Sequence, residues 1–455
     1  MKIKQKPDEI WKEYQDGIAY NTQLDLYANV ECNNNFYNDK QWEGVIAPDL
    51  DKPAFNFLKP VVNFYIAMLI SDDIAANVAL YGGGALAAME QAAERDSIQK
   101  AISQEILNIM ERENMQFKNR KAIRNAAVDG DCCFYNWFDA EAETGQLYEG
   151  QIRTDVIDNT NVIFGDPSES DTEKQPYMIV VYRALTENVK EESKTNGMGE
   201  DEINQIVPDS DSIYMNDEKN YDKNYTTVLL KMWKVKRAVN GRNVKSVHMV
   251  KCTQTAIVKK AWDTDYRRYP LNWMSWEAVK NSYHGVAPLT GKIQNQIFVN
   301  KMYAMAMRFT ARTAFPKIIY NKQKLKNGWD NRVDVAIGVD GPPNDIIFSN
   351  FQAADMSSSV PELISSTITQ TKDLMGANET ALGNVEPDNT SAIITVQNQA
   401  RIQLDMQRLD FYNCVEGYIR SYIDMMRVHY GLREIEITDE NQNKAVVSFD
   451  FATLG

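Results

Sequence analysis

The sequence predicts an α+β fold in which helices predominate. Long segments space their apolar residues at helical intervals, while shorter runs of β-branched and aromatic residues are bounded by turn residues. With 44% hydrophobic and 25% charged residues, the 455-residue chain has the composition of a folded protein with two or three cores. The most apolar stretch, 61–70, falls short of the roughly 20 residues needed to cross a bilayer. We therefore expect no membrane span.

The first 182 residues predict helices followed by a small sheet. Helices are expected from Pro60 onward, the last running from Ala85 to about Val128, where Gly130 closes it. β-type runs over 151–182 then predict strands packed on these helices.

Two adjacent blocks of opposite charge follow. Residues 187–223 contain eleven acids and four lysines, whereas 229–268 contain eleven bases and two acids and predict strands around a turn at 240–241. A basic face is often simply solvated. Alternatively, identical subunits in a ring could set one block against the neighbour's other block.

A third segment contains bases and no acids. The chain has 63 acids and 49 bases, yet neither Asp nor Glu occurs between Gly285 and Lys326. This local departure from the overall charge suggests contact with nucleic acid.

Most of this acid-free segment predicts one long helix, from Pro288 to Pro316. Lys301, Met305, Arg308 and Arg312 follow one another at intervals of four, three and four residues, so the three cations among them share one face of the helix. Lys292 lies roughly on the opposite face. The alternative is a core helix with a solvated basic stripe. The candidate DNA-contacting residues are Lys292, Lys301, Arg308 and Arg312.

The C-terminal part predicts strands, helices and a hairpin. A loop of small and polar residues spans 349–359, and a capping box at Ser359 begins a helix that ends at Gly376. A long helix is expected over 390–430, and a β-hairpin over 435–451.

No catalytic motif is complete. The nearest is a phosphate-binding loop at Gly285–Lys292, which has one residue too many between its glycines and Ile293 where Ser or Thr would bind Mg²⁺. The three histidines lack metal-ligand spacing. We expect no enzyme activity, no cofactor and no metal site.

Five short strings of residues occur in a distinctive order. They are Asn35–Gly44 with Gln41-Trp42; Lys52-Pro53 with Asn56; Asp158–Val162 with Asp166-Pro167; Tyr269-Pro270, then Tyr283-His284-Gly285 and Gln296–Asn300; and Gly376–Gly383, followed by Thr390-Ser391-Ala392. Together they resemble the portal proteins of tailed bacteriophages, which form the ring at one capsid vertex. Asn38 departs from a frequent glycine, and Thr390-Ser391 replaces Ser-Gly.

The resemblance implies twelve subunits around an axial DNA channel, each with wing, stem, clip and usually crown regions. The implied regions are 1–182, N-terminal wing; 183–207, first stem helix; 208–285, β-rich clip; 286–316, second stem helix; and 317–455, C-terminal wing. Family members usually continue into a crown past the point that corresponds to the end of this sequence. We therefore expect the crown to be absent or truncated here.

The resemblance also implies sites and partners. The channel loop would comprise Gln352, Ala353, Ala354, Asp355, Met356, Ser357 and Ser358. Clip residues expected to meet partners are Lys231, Lys234, Lys236, Arg237, Arg242 and Lys245. The implied partners are further copies of the chain, double-stranded DNA read without sequence specificity, the terminase, the head-tail adaptor, and the major capsid or scaffold protein.

The implied location is the virion, after assembly in the host bacterial cytoplasm. Three alternatives remain: another ring-forming phage connector component, a nucleic-acid-processing enzyme, and a helical scaffold without DNA contact. A ring with an axial hole would separate them.

Overall fold

The computed structural model describes residues 3–48, 50–70, 74, 76–79, 92–209, 224–239, 242–313, 317–323, 348–351, 359–377, 402–438 and 444–454. It shows a mixed α+β fold with several antiparallel sheets, which confirms the predicted class. The elements are α1 Pro7–Gln23, α2 Leu26–Tyr37, α3 Leu58–Ile70, α4 Ala92–Arg112, α5 Met115–Asp129, β1 Asp131–Asp139, β2 Gln151–Ile157, β3 Val162–Phe164, β4 Tyr177–Leu185, α6 Thr186–Thr195, α7 Glu200–Asn204, β5 Tyr225–Val239, β6 Arg242–Cys252, β7 Ile257–Asp263, β8 Leu271–Ser275, α8 Ile293–Thr313, β9 Lys317–Tyr320, β10 Phe348–Phe351, α9 Ser359–Leu374, α10 Asp405–His429, β11 Leu432–Thr438 and β12 Lys444–Asp450.

The largest sheet has the strand order β3-β4-β5-β6-β7 and is covered on both faces. Alternate residues of a strand point to opposite faces. Met178 and Val180 of β4 therefore join the main core, whereas Ile179 and Val181 pack with Ile10 of α1 on the other face. This double coverage explains why β4 is apolar almost without interruption.

A second sheet, β2-β1-β8, supports the main helical layer. Helix α10 packs on this sheet, where the Tyr418 ring lies 5.2 Å from Phe134. Helices α3, α4 and α5 complete the same hydrophobic core. The predicted C-terminal hairpin is confirmed as β11 and β12, which pair from Leu432 opposite Asp450 to Thr438 opposite Lys444. No helix of the described ranges is long and apolar enough to span a membrane.

The described part, 92–128, of the helix predicted from Ala85 to Val128 forms two helices, and 85–91 lie outside the described residues. Helix α4 ends at Arg112, and Asn114 has a left-handed backbone with φ of 49° before α5 begins. Asparagine tolerates this conformation better than most residues, so the break needs neither glycine nor proline. Gly130 does close α5, with φ of 100° and its N–H on Ala126 O.

The continuous helix predicted over 183–207 is also wrong. Strand β4 continues to Leu185, which lies opposite Tyr225 of β5, so the first residues are extended. Helix α6 follows, but it ends before Gly197, whose φ of 73° separates it from the single turn of α7.

Two further predictions fall partly outside the described residues. Helix α10 and the helical residues just before it confirm the later part of the helix expected over 390–430. Residues 378–401, which include its predicted start, are outside the description. The loop predicted from Ser349 is in fact strand β10 as far as Phe351.

Candidate functional site

Helix α8 is fixed by side-chain amides that are buried beside it. Gln296 Nε2 donates to Phe55 O at 2.6 Å and to Asn300 Oδ1 at 3.1 Å, while Phe57 N donates to Gln296 Oε1 at 3.2 Å. Asn300 Nδ2 donates to Gln41 Oε1. We call Gln41, Gln296 and Asn300 the amide clamp. It satisfies buried polar groups and sets the position of α8 along the loop before α3.

The loop that meets the clamp is itself held by polar contacts. Asn56 Nδ2 donates to Phe36 O and to Asp39 Oδ1, both at 2.8 Å, and Asn56 Oδ1 accepts from Lys59 N at the start of α3. Trp42 Nε1 donates to Pro53 O at 2.7 Å. Residues from three of the five sequence strings are therefore neighbours in space.

The predicted basic stripe lies on the side of α8 away from the clamp. Lys301 is exposed and Arg308 is partly exposed, with Met305 at 59% exposure between them. Neither cation forms an ion pair with another described residue. Lys292 is partly exposed in the short 3-10 turn just before α8. Arg312 belongs to the last turn of α8.

Helix α8 also presents apolar side chains that its own chain leaves accessible. Phe298 and Met307 are 37% and 44% exposed. Val299 and Ala304 of the same helix are buried, and Asn295 Nδ2 donates to Thr371 Oγ1 of α9 at 2.9 Å. The helix is therefore anchored by buried side chains, while the face with Lys301, Met305 and Arg308 offers a mixed basic and apolar surface.

Two of the six predicted clip residues are removed from that role by the structure. Lys231 is fully buried, with its Nζ 2.5 Å from Glu13 Oε2 and 4.6 Å from the Tyr177 ring centroid. Lys234 is nearly buried, paired with Glu173 and stacked over Tyr269. Alternation along β5 places Lys231 and Lys234 on opposite faces of the large sheet, and other elements cover both faces, which a count of charges cannot reveal.

The other clip candidates lie near the end of β5 and the start of β6. Lys236 and Lys245 are exposed and directly opposite each other. Such a like-charged pair is unfavourable unless an anion joins it. Arg237 is exposed but already contacts Asp263 and Asp265. Arg242 begins β6.

The acidic and basic blocks meet within one chain. Lys251 Nζ lies 2.6 Å from Glu192 Oε1 of α6. This ion pair joins one residue of each block within a single chain, whereas the sequence alone suggested that the blocks of neighbouring subunits would pair.

The predicted channel loop lies outside the described residues. It comprises Gln352, Ala353, Ala354, Asp355, Met356, Ser357 and Ser358.

A second buried polar cluster was not predicted. His284 Nδ1 lies 2.8 Å from Asp131 Oδ2, His284 Nε2 lies 3.1 Å from Asn21 Oδ1, and Gly285 N donates to Asp131 Oδ1 at 2.7 Å. Tyr283 adds a hydrogen bond from its hydroxyl to Asn21 Oδ1. The cluster joins α1, β1 and the segment entering α8, and the only signal for it was the Tyr-His-Gly string.

Burial shifts the pKa of a nearby carboxyl group. Asp129 has its pKa raised to about 7 by burial at the end of α5, an effect that Arg124 and the amide of Asn34 oppose.

Across the described residues, no group of three or more His, Cys, Asp or Glu side chains is arranged to hold a metal ion.

No protein-family model matches the chain, and no curated protein matches it.

Proposed function

We propose that this chain is the subunit of a bacteriophage portal ring whose channel carries double-stranded DNA during packaging, retention and ejection. The observation that carries this proposal is the position of α8. Side chains from strings far apart in the sequence hold its inner face, while Lys301 and Arg308 remain unpaired with described residues on its outer side. In this proposal α8 is the second stem helix.

Electrostatics supports a channel role for that stripe. The chain has a formal net charge of −14, so most of its surface repels DNA. Repetition of Lys301 and Arg308 around a ring would give circles of positive charge within a negative assembly. Such circles attract phosphates without reading bases, as a channel for any genome sequence requires.

Ring formation would also account for the exposed apolar residues of α8. Phe298 and Met307 are more accessible than side chains of their size usually are in a closed core. Neighbouring copies of α8 placed side by side would cover them. On β5 and β6, Lys236 and Lys245 remain suited to acidic surfaces of the terminase and then of the adaptor.

The test is a charge reversal on α8. Lys301→Glu combined with Arg308→Glu changes the stripe by four charges per subunit, from two cations to two anions. We expect rings to assemble, as judged by negative-stain electron microscopy, but packaged DNA per particle to fall severalfold because phosphates are then repelled.

Lys12→Glu combined with Lys40→Glu is the matched control. Both lysines are exposed and unpaired with described residues, and neither is on α8. This variant has the same net charge as the first and should package normally. Normal DNA content in the α8 variant would remove the channel role from the stripe.

A further inference from the structure

A groove between α2, α3 and α5 has no role in the function proposed above. It encloses about 630 Å³ and is lined by Tyr37, Asn63, Phe117, Arg120, Lys121 and Arg124, which we call the α5 groove. The remaining lining residues are apolar, so three cations face the groove and no acid does. That balance is unusual in a chain with more acids than bases.

The charge of the α5 groove is only partly neutralised within the chain. Arg124 lies 3.6 Å from Asp129 and stacks over the Tyr37 ring at 5.2 Å. Arg120 and Lys121 are exposed, and neither forms an ion pair with another described residue. Among the described residues, the Lys121 ammonium group makes one polar contact, a long one of 3.5 Å to Val156 O. Two cations are therefore available to an anionic partner.

The groove also offers an apolar contact. Phe117 is 64% exposed, although it lies on a helix whose other apolar residues, such as Ala122 and Ile123, are fully buried. An exposed aromatic ring beside unpaired cations is typical of the centre of a protein interface. The expected occupant combines carboxylates with an apolar side chain.

Helices α6 and α7 have that combination. Glu187 and Glu191 are exposed one turn apart on α6, and Glu200 and Asp201 are exposed on α7. None of the four forms an ion pair with another described residue. The flanking Val207 is 50% exposed. We call these five residues the acidic face.

The acidic face and the α5 groove belong to different parts of the molecule. Helix α6 packs on β4, β5 and β7 through a small separate cluster that includes Val189 and Val258. Helix α5 packs on α2, α3 and β1 in the main core. Two distinct surfaces that complement each other produce head-to-tail association, which closes into a ring when the rotation permits.

We propose that the α5 groove of one subunit receives the acidic face of the next copy of the chain. This inference rests on the ring proposed above and names the surfaces that join its subunits. Arg120 and Lys121 pair with Glu187 and Glu191, and Phe117 contacts the apolar edge near Val207. The interface is heterologous, so each subunit uses both surfaces.

Exchange of the charges tests the pairing. Arg120→Glu with Lys121→Glu, and separately Glu187→Lys with Glu191→Lys, should each raise the concentration for half-maximal assembly at least about tenfold, because like charges then meet. The chain with all four substitutions should assemble as the wild type does. Sedimentation velocity and mass photometry measure assembly, circular dichroism checks folding, and Lys12→Glu with Lys40→Glu serves as the control.

Each outcome has a definite meaning. Unchanged assembly in both double variants, or failure of the four-substitution chain to recover, overturns the pairing. Loss of binding to duplex DNA without any loss of assembly would assign the groove to nucleic acid and would also overturn it. If wild-type rings form, the charge exchange behaves as expected and the α8 variant packages DNA normally, the DNA-channel function fails while the pairing of the two surfaces stands. A wild-type chain that remains monomeric removes both.

Discussion

Lys231 shows how one residue can lose a role that its charge suggests. It lies on the face of β5 covered by α1, where its ammonium group donates to Glu13 Oε2 at 2.5 Å and to Lys4 O at 2.9 Å. Burial lowers the pKa of Lys231, and the adjacent Glu13 carboxylate opposes that shift. The pair joins the N-terminal helix to the large sheet.

Removal of one partner from this pair should be costly. Lys231→Met leaves Glu13 as a buried charge without its main partner, and we expect a loss of about 3–5 kcal/mol in the free energy of unfolding. Lys231→Met combined with Glu13→Leu should lose less, because no charge is then stranded. Urea denaturation of the three proteins measures this, and a single substitution as mild as the double one would contradict it.

At the scale of elements, the amide clamp determines how α8 sits. Asn300→Leu preserves the size of the side chain but removes partners from both Gln41 and Gln296. Each orphaned buried group should cost about 1–3 kcal/mol. Gln294→Leu is the matched control, since Gln294 is exposed on the same helix and should change stability by less than about 0.5 kcal/mol.

Urea denaturation and hydrogen exchange provide the measurements for the clamp. We expect faster exchange around Phe57 in Asn300→Leu because the loop before α3 loses part of its attachment to α8. Equal stability of Asn300→Leu and Gln294→Leu would show that the clamp does not hold the helix.

The elements also show what the sequence could predict. Helix α8 and the β11–β12 hairpin were found because their signals are local: a proline near the start, helical spacing, and alternation around a turn. Their boundaries differ from those predicted by only a few residues.

Errors arose where a distant partner decides the structure. The end of β4 is extended because Leu185 lies opposite Tyr225, about 40 residues later. The break at Asn114 is a different case: it was missed because neither glycine nor proline marks it in the sequence. The clamp was recognised only as separate strings, since side chains as far apart as Gln41 and Asn300 meet only in the folded chain.

At the scale of the whole molecule, the buried Asp129 and the half-buried His429 should give the free energy of unfolding opposite dependences on pH. Burial raises the pKa of Asp129 from 3.8 to about 7 and lowers that of His429 from 6.5 to about 4. The His429 ring stacks on Phe138 at 4.1 Å, and its Nε2 lies 2.7 Å from the Tyr266 hydroxyl. Folding therefore favours the protonated form of one group and the neutral form of the other.

The signs follow from proton binding. Between about pH 4 and 7 the folded state holds more protons on Asp129 than the unfolded state does, so its contribution to stability falls as pH rises. Between about pH 6.5 and 4 the folded state holds fewer protons on His429, so its contribution falls as pH drops. Over the shared window the two effects offset each other in the wild-type chain.

Single substitutions should separate these contributions. Relative to wild type, Asp129→Asn should make unfolding free energy rise more steeply with pH between 4.5 and 6, and His429→Gln should make it rise less steeply. Each change approaches about 1.4 kcal/mol per pH unit, the value for one proton. Other titrating groups are common to all three proteins, so they cancel in the differences. Urea denaturation at pH 4.5, 5.25 and 6 measures the slopes, and three parallel profiles would show that neither group is coupled to folding.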